Sequence, residues 1–498
     1  MALLGIDIGT TGAKATIFDS EGRIVSYAYG EYDIISEGEG QFEISPTRVW
    51  ETVRGIIKTA AHAAGGADIE AICTSSLGEV FVMLDREGRE LANSPTYMDQ
   101  RGESECEALT RALGAENIMR VTGHPPHSMY SVCKLMWYAK HRPELMARTY
   151  RILFYGDYIL HKLGGQYISD YSLAARTMCF DVTSHQWSRQ IIEAAGVDIG
   201  IFPETRVTGS VIGEISPSMA EELGLKRGAK LILGGHDQIM AGVGAGIIDV
   251  GQAVNGIGTV DCITPLFKGA RLSADMMRYS YASIPYLFED TFVTYAFNMT
   301  GGSLLKWFRD TFAKTDREIA QRENQEIYDL LADEVPDGPT NLFVLPHFAG
   351  SPVPRPDIHA KGAILNLTLG TKRGDIYRAC MEGEALEMRH NLETLKQQGI
   401  EVSELRTVGG GARSPKWLQM RADIFGKPIA RMRFEEAGTL GTAIVAGVSA
   451  GCYRSLREAT NALCAVDRYY EPNAANHEFY SERYGKYRQL YDLLKQVR

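Results

Sequence analysis

The sequence has little of what builds a disulfide scaffold, a metal cluster or a membrane protein. Its eight cysteines (Cys73, Cys106, Cys133, Cys179, Cys262, Cys380, Cys452 and Cys464) are scattered, and none forms a C-x-x-C pair. That spacing suggests neither a zinc site nor a disulfide framework and points to reduced thiols in a cytoplasmic compartment. Long hydrophobic runs are missing as well. The opening stretch MALLGIDIG has no basic leader and meets Asp7 almost at once, so it is not expected to be a signal peptide. The most apolar later stretch, LILGGHDQIMAGVGAG, is broken by His236 and Asp237, so no membrane span is expected. An excess of positive charge is absent too. Lys and Arg number 52 against 62 Asp and Glu, a formal charge of −10, which argues against a nucleic acid or an anionic membrane as partner. There is no low-complexity tract and no strict short repeat.

What is present is an ordinary soluble composition, 45% hydrophobic and 23% charged, over 498 residues. That length exceeds a single core and calls for two domains or three. Leu3 to Ile8 reads as a buried strand and Ala13 to Asp19 as a second. SEGR at 20–23 turns the chain into a third strand, IVSYAYGEYDI. Ser45-Pro46 opens a helix over 46–64, with serine as N-cap and proline at the first helical position. IEAICTSSLGEVFVMLDREGREL returns to strand, loop and strand, and 100–200 is mostly helical. A second glycine-rich block spans 231–259, residues 340–375 are loop-like, a helix–glycine–helix stretch follows at 376–450, and an amphipathic helix closes the chain. GIDIGTTGAKATIFD is answered near the middle by AVNGIGTVDCITPLF, again strand, Gly-Thr turn and strand. Two such hairpins half a chain apart imply two related domains facing one another.

The first hairpin has the chemistry of a phosphate site. It fails the P-loop pattern because Lys14 does not follow a glycine, and the dinucleotide fingerprint because Asp7 stands where a glycine belongs. The amides of Gly9, Thr10, Thr11 and Gly12 can instead cradle phosphate oxygens, with the threonine hydroxyls adding donors. Lys14 would then face the terminal phosphate. Asp7 would repel phosphate unless a magnesium ion lay between them, which makes it a candidate metal ligand. The plain alternative is a glycine-rich turn with an incidental acid. In LILGGHDQIMAGVGAG, a strand delivers His236, Asp237 and Gln238 to a turn before a small-residue helix. An acid at the end of an apolar strand is costly unless paired or solvated in a cleft. Asp237 is therefore a candidate general base for phosphoryl transfer, with helix capping as the bland alternative. AGVGAG reads as a closely packed helix start.

In order, and over essentially the whole chain, these stretches resemble the FGGY family of carbohydrate kinases within the actin-like ATPase superfamily. MYSVCKLMW (129–137) is similar to the family's first signature, with its lysine and tryptophan at Lys134 and Trp137. SDYSLAARTMCFDVTSHQW looks like its helical segment, GGHDQIMAGVGAG like its catalytic block, and GGGARSPKWLQMRADIFGKPI like its adenosine block. The resemblance implies an α/β fold of two actin-like, ribonuclease H-like domains, roughly 1–245 and 246–498, flanking a deep cleft. It implies a kinase using ATP and Mg2+ on a small sugar or polyol, with Asp237 as base and Asp7 and Asp237 near the metal. The ATP phosphates would lie between the first hairpin and a second at Gly258 and Thr259, with adenosine against Gly410, Gly411 and Ser414. Relatives are usually homodimers, though no segment here marks an interface. His236 and Asp261 receive no assigned role.

For the acceptor, Glu79 falls where glycerol kinases place a polyol-binding glutamate, and Gln238 also fits that pattern. Other positions depart from it. Gly78 replaces an arginine, Met129 a tyrosine, and Tyr97 a tryptophan, while Asp99-Gln100-Arg101 resembles the D-x-R of ketopentose kinases. Glycine for arginine is expected to open volume for a substrate longer than glycerol. A pentulose, hexulose or related polyol held by Glu79, Tyr97, Asp237 and Gln238 is the expectation. Glycerol kinase is the nearest alternative, and a nucleotide-switched binding protein of the actin or Hsp70 kind is the rival from another class.

Overall fold

A computed structural model describes residues 2–36, 38–434 and 436–496. Its first sheet is built from β1 (Ala2–Ile8), β2 (Gly12–Asp19), β3 (Ile24–Glu31), β4 (Ile69–Ser76), β5 (Val211–Glu214) and β6 (Lys230–His236), in the order β5-β6-β4-β1-β2-β3. β1, β4 and β6 run parallel, while β2, β3 and β5 are antiparallel to their neighbours. The parallel strands lie in the sheet interior, which is why ALLGIDI and KLILGGH are almost continuously buried rather than alternating. Helix α1 (Pro46–Ala63) covers this sheet next to β2 and β3. Ser45 caps it by accepting the Arg48 amide at 3.3 Å.

A second sheet repeats this order of strand directions. It contains β7 (Gln252–Ile257), β8 (Asp261–Lys268), β9 (Ile284–Pro285), β10 (Thr291–Val293), β11 (Ala296–Asn298), β12 (Glu404–Val408), β13 (Ile429–Met432) and β14 (Val466–Tyr470). β7 forms an antiparallel hairpin with β8, runs parallel to β12, and is followed across the sheet by parallel β13 and antiparallel β14. β10 and β11 continue antiparallel from β8, as β3 does from β2. The echo between the two Gly-Thr hairpins is thus an echo of whole sheets.

The two halves interlock. β6 runs directly into helix α2 (Asp237–Gly244), and a helix from late in the chain, α6 (Ala437–Ala450), lies against α2, β1 and β4. The small residues of AGVGAG allow this approach. A Cβ on Gly244 would strike the Ala437 carbonyl, and one on Gly441 the Met240 carbonyl. The closely packed helix start expected from that run is therefore present, with α6 as the partner. The remaining helices that matter below are α3 (Gly302–Phe312), α4 (Arg373–Gln397), α5 (Pro415–Phe425) and α7 (Ala474–Lys495), all in the second half.

Candidate functional site

The parallel strands of the first sheet bring three polar ends together. Asp7 stands opposite Ser75 on β4, Gly235 of β6 opposite the same serine, and His236 opposite Ser76. Ligands of open α/β sheets gather at such carboxyl ends of strands. Ser75 donates a short hydrogen bond to Asp7 Oδ1. Burial raises the Asp7 carboxyl above its ordinary value, against the opposing pull of Ser75 and Lys14.

Asp237 is the first residue of α2, beside this group. Its Oδ1 is shut off from solvent with no hydrogen-bond partner among the described residues, although the side chain as a whole is 36% exposed. Burial first, and then the charge of Asp7, push its carboxyl up to about 7, against Gln238 and Arg176. His236 lies behind it. Burial, Arg176 and His124 hold the His236 imidazole well below its ordinary value, so it is neutral at physiological pH. Its Nδ1 sits 2.8 Å from the Tyr295 hydroxyl and 3.4 Å from Asp237 Oδ1, and its ring stacks on Tyr295. His236 thus joins Asp237 to a tyrosine delivered by the second half of the chain.

Glu79 is 5% exposed in a left-handed backbone conformation, and Arg176 donates a short hydrogen bond to its Oε1. Arg176 follows the short helix Tyr171–Ala175, whose Ser172 Oγ accepts the His236 amide at 2.9 Å. The arginine Nε is buried without a hydrogen-bond partner among the described residues. The guanidinium lies 5.6 Å from the Tyr295 ring centre and 5.3 Å from that of Tyr130. This arrangement corrects the expectation about Gly78. A Cβ there would come within 2.7 Å of His236 Cδ2 and 3.0 Å of Arg176 Cγ, so the glycine opens no free volume. An arginine from another element fills it. Tyr97 is 43% exposed in the loop after Ser94–Pro95, with no hydrogen bond to Glu79 or Asp237 among the described residues. Gln238 lies on α2, next to Asp237.

The first hairpin closes through the Gly9 amide on the Gly12 carbonyl at 2.9 Å. The Tyr32 hydroxyl donates to the carbonyls of Gly9 and Gly12, which ties the back of the turn while Thr10 and Thr11 remain at its tip. Lys14 faces Asp7 across the strands, but its ammonium is bound to Glu436 at 2.6 Å, just before α6. The second hairpin is held at Gly258 and Thr259, whose carbonyls accept the amides of Gly302 and Ser303 at the start of α3. Asp261 finds its role here. It is fully buried, accepts from Asn255 at 2.6 Å and pairs with Arg421 at 2.5 Å, with Glu384 on the same guanidinium. It faces the domain interior and braces the hairpin against α5.

The glycine block after β12 splits by function. A Cβ on Gly411 would collide with Ile257 and come within 2.9 Å of Trp417, whereas Gly410 faces open space. Ser414 Oγ accepts the Trp417 amide at 3.3 Å as N-cap of α5, so that lone pair is already in use.

A model of the FGGY family of carbohydrate kinases, N-terminal domain, matches residues 2–244, and its C-terminal counterpart matches 266–450. The chain belongs to this family. It is 27% identical to the xylulose kinase of Staphylococcus epidermidis over 502 residues, covering 99% of this chain and 97% of that protein. It is also 27% identical to the autoinducer-2 kinase of Klebsiella pneumoniae over 504 residues, covering 98% and 93%. A crystal structure of xylulose kinase from Rhodospirillum rubrum superposes with a TM-score of 0.90 at 25% identity, covering 100% of this chain and 99% of that one. The fold is accordingly the α/β, two-domain actin-like architecture of FGGY kinases, and the chain is a phosphotransferase acting on a sugar. Membership of a kinase family implies ATP use. Among the described residues no helix is long and apolar enough to cross a membrane.

Within this FGGY kinase, the signature residues outside the catalytic block clasp one another. Asp99 binds Arg101 through both carboxylate oxygens and also accepts the Phe42 amide. Lys134 donates to the carbonyls of Asp99 and Arg101, and Trp137 lies under the Arg101 guanidinium at 4.9 Å. The D-x-R segment and the Lys–Trp signature are therefore one structural unit. Sequence reasoning missed Arg176, Tyr295 and Glu436. Arg176 lay inside a stretch matched as a block and Glu436 in the helix–glycine–helix stretch at 376–450, while Tyr295 sits in a segment with no motif.

Proposed function

We propose that this FGGY kinase transfers the γ-phosphoryl group of ATP to a hydroxyl of an open-chain ketose or related polyol, with Asp237 as general base. The observation that carries this reading is Asp237 Oδ1, buried and without a hydrogen-bond partner among the described residues, where Asp7, His236, Arg176 and Tyr295 meet. A buried acceptor without a donor is what a substrate hydroxyl would satisfy. In the reaction the hydroxyl proton passes to Asp237 as its oxygen bonds to the γ-phosphorus. The bond from that phosphorus to the β-bridging oxygen breaks, and ADP leaves.

Gly9, Thr10, Thr11, Gly12 and Lys14 would hold the phosphates from one side, and Gly258 and Thr259 from the other. Lys14 would exchange Glu436 for phosphate. Gly410, with open space around it, would border adenosine, alongside Gly411 and Ser414. Asp7 and Asp237, whose proton affinity the charge of Asp7 raises, form a donor set suited to Mg2+ held partly through water. When bound, that ion would neutralise charge on the phosphates. Glu79, Gln238 and Tyr97 would contact the acceptor, and Arg176 would orient Glu79. The domains would divide near residue 245. The relatives named for xylulose and autoinducer-2 phosphorylation favour a ketose over glycerol. The preference for a longer substrate no longer rests on Gly78.

The test is ADP release with Mg-ATP across ketopentoses, ketohexoses, linear polyols and glycerol. One ketose or polyol should stimulate turnover well above glycerol. Stimulation by glycerol alone would replace the acceptor assignment, and indifference to the whole panel would favour a nucleotide-switched binding protein.

A further inference from the structure

In the second half of the chain, α4, α7 and the loop at 354–356 border an open cavity of about 440 Å3. That volume is within the range of small-molecule sites. None of the hairpin or Asp237 residues lines it. On α4 the lining residues His390, Glu393, Thr394 and Gln397 follow the spacing of one helix face, as do Tyr484, Arg488, Tyr491 and Lys495 on α7.

The charge here is unusual for this chain. Acids outnumber bases by ten overall, yet Arg278, Arg355, Arg488 and Lys495 all border this one cavity. None of the four forms an ion pair with an acid among the described residues. They are backed by aromatic rings instead: Arg355 lies 5.3 Å from the Tyr491 ring centre, Arg488 5.9 Å from Tyr484, and Arg278 5.8 Å from Tyr279. One Arg355 nitrogen donates to the Arg488 backbone carbonyl at 3.0 Å, which ties the Arg355 guanidinium to α7. Two acids, Glu393 and Asp492, share the rim, and Glu393 is 3.8 Å from Arg389 outside the lining. The cavity therefore carries an excess of two positive charges. His390 agrees with this field: burial, with the nearby Arg355 and Arg488, holds its imidazole down to about 4 against the pull of Glu387.

We infer that this cavity binds a small phosphate ester carrying two or more negative charges. Guanidinium forks match phosphate oxygens, and several unpaired cations call for a polyvalent anion. The tyrosine rings offer an apolar face to the carbon skeleton of the ester. The two rim acids and the chain's overall net charge of −10 disfavour a polymeric anion such as nucleic acid. The site does not rest on the acceptor assignment above.

The test is calorimetric titration of ribose 5-phosphate into the full chain in the absence of nucleotide. Saturable binding that weakens with salt is expected, at least tenfold tighter than inorganic phosphate and absent for ribose. Arg355→Gln/Arg488→Gln should bind at least tenfold more weakly while keeping the parent melting temperature. Lys495→Glu, on an exposed turn of α7, should weaken binding independently of any folding defect in the double variant. Asp237→Asn should bind as the parent does. No binding at millimolar ester, equal binding of ribose, or parental affinity in both the double variant and Lys495→Glu would overturn the assignment.

Discussion

Arg176 is a full charge almost completely buried, and Glu79 is the acid beside it. Removing one member of such a pair leaves the other uncompensated, at a cost of about 3–5 kcal/mol. Arg176→Met should therefore lower stability by that order in a denaturant titration, and adding Glu79→Gln should restore part of it. A loss in the single variant no larger than about 0.5 kcal/mol, the size of an ordinary surface substitution, would contradict the pairing. At this scale the sequence was legible where chemistry and chain position coincide. Asp7 and Asp237 stand at strand ends because apolar runs lead directly into them. Residues whose partners are distant in sequence were not legible. Asp261 had no assigned role until Arg421 appeared behind it, and Gly78 looked like open space until Arg176 filled it.

Among the elements, the hairpins and the glycine block depend on close packing as much as on ligand contact. Gly411→Ala would push a methyl group into Ile257 and Trp417, and overpacking of this kind costs about 1–3 kcal/mol. Gly410→Ala meets nothing and should leave stability unchanged while raising the KM for ATP. Equal melting temperatures for the two variants would refute the packing role of Gly411. On α4, Glu387 is buried, which opposes its charge, yet His347, His390 and Tyr487 hold its carboxyl down to about 2. A depressed carboxyl stabilises the fold above its unfolded value of about 4.5. That stabilisation is lost as pH falls from there towards about 2. Glu387→Gln should be less stable at neutral pH and show a shallower loss across this acid window. An acid profile parallel to the parent's would count against it. The strands, the capped helix α1 and the second hairpin were legible from periodicity and turn residues. The interior salt links were not, because they join separate elements, from 37 residues apart for Glu384 and Arg421 to 422 for Lys14 and Glu436.

For the whole molecule, the repeated order of strand directions explains why two short Gly-Thr stretches announced two related halves. The interlocking did not show in the sequence, since α6 crosses onto the first sheet through small residues that read equally well as an ordinary apolar helix. That crossing places Glu436 beside Lys14, while β10 and β11 bring Tyr295 to His236. Both halves thus meet around Asp237, and the proposed phosphoryl transfer depends on that carboxylate. The decisive measurement is steady-state kinetics of Asp237→Asn with the sugar that best stimulates ADP release. Loss of a general base should lower kcat by roughly 10²–10⁴ with little change in KM for sugar or ATP. A kcat within about tenfold of the parent would fall short of any general-base contribution and contradict the assignment.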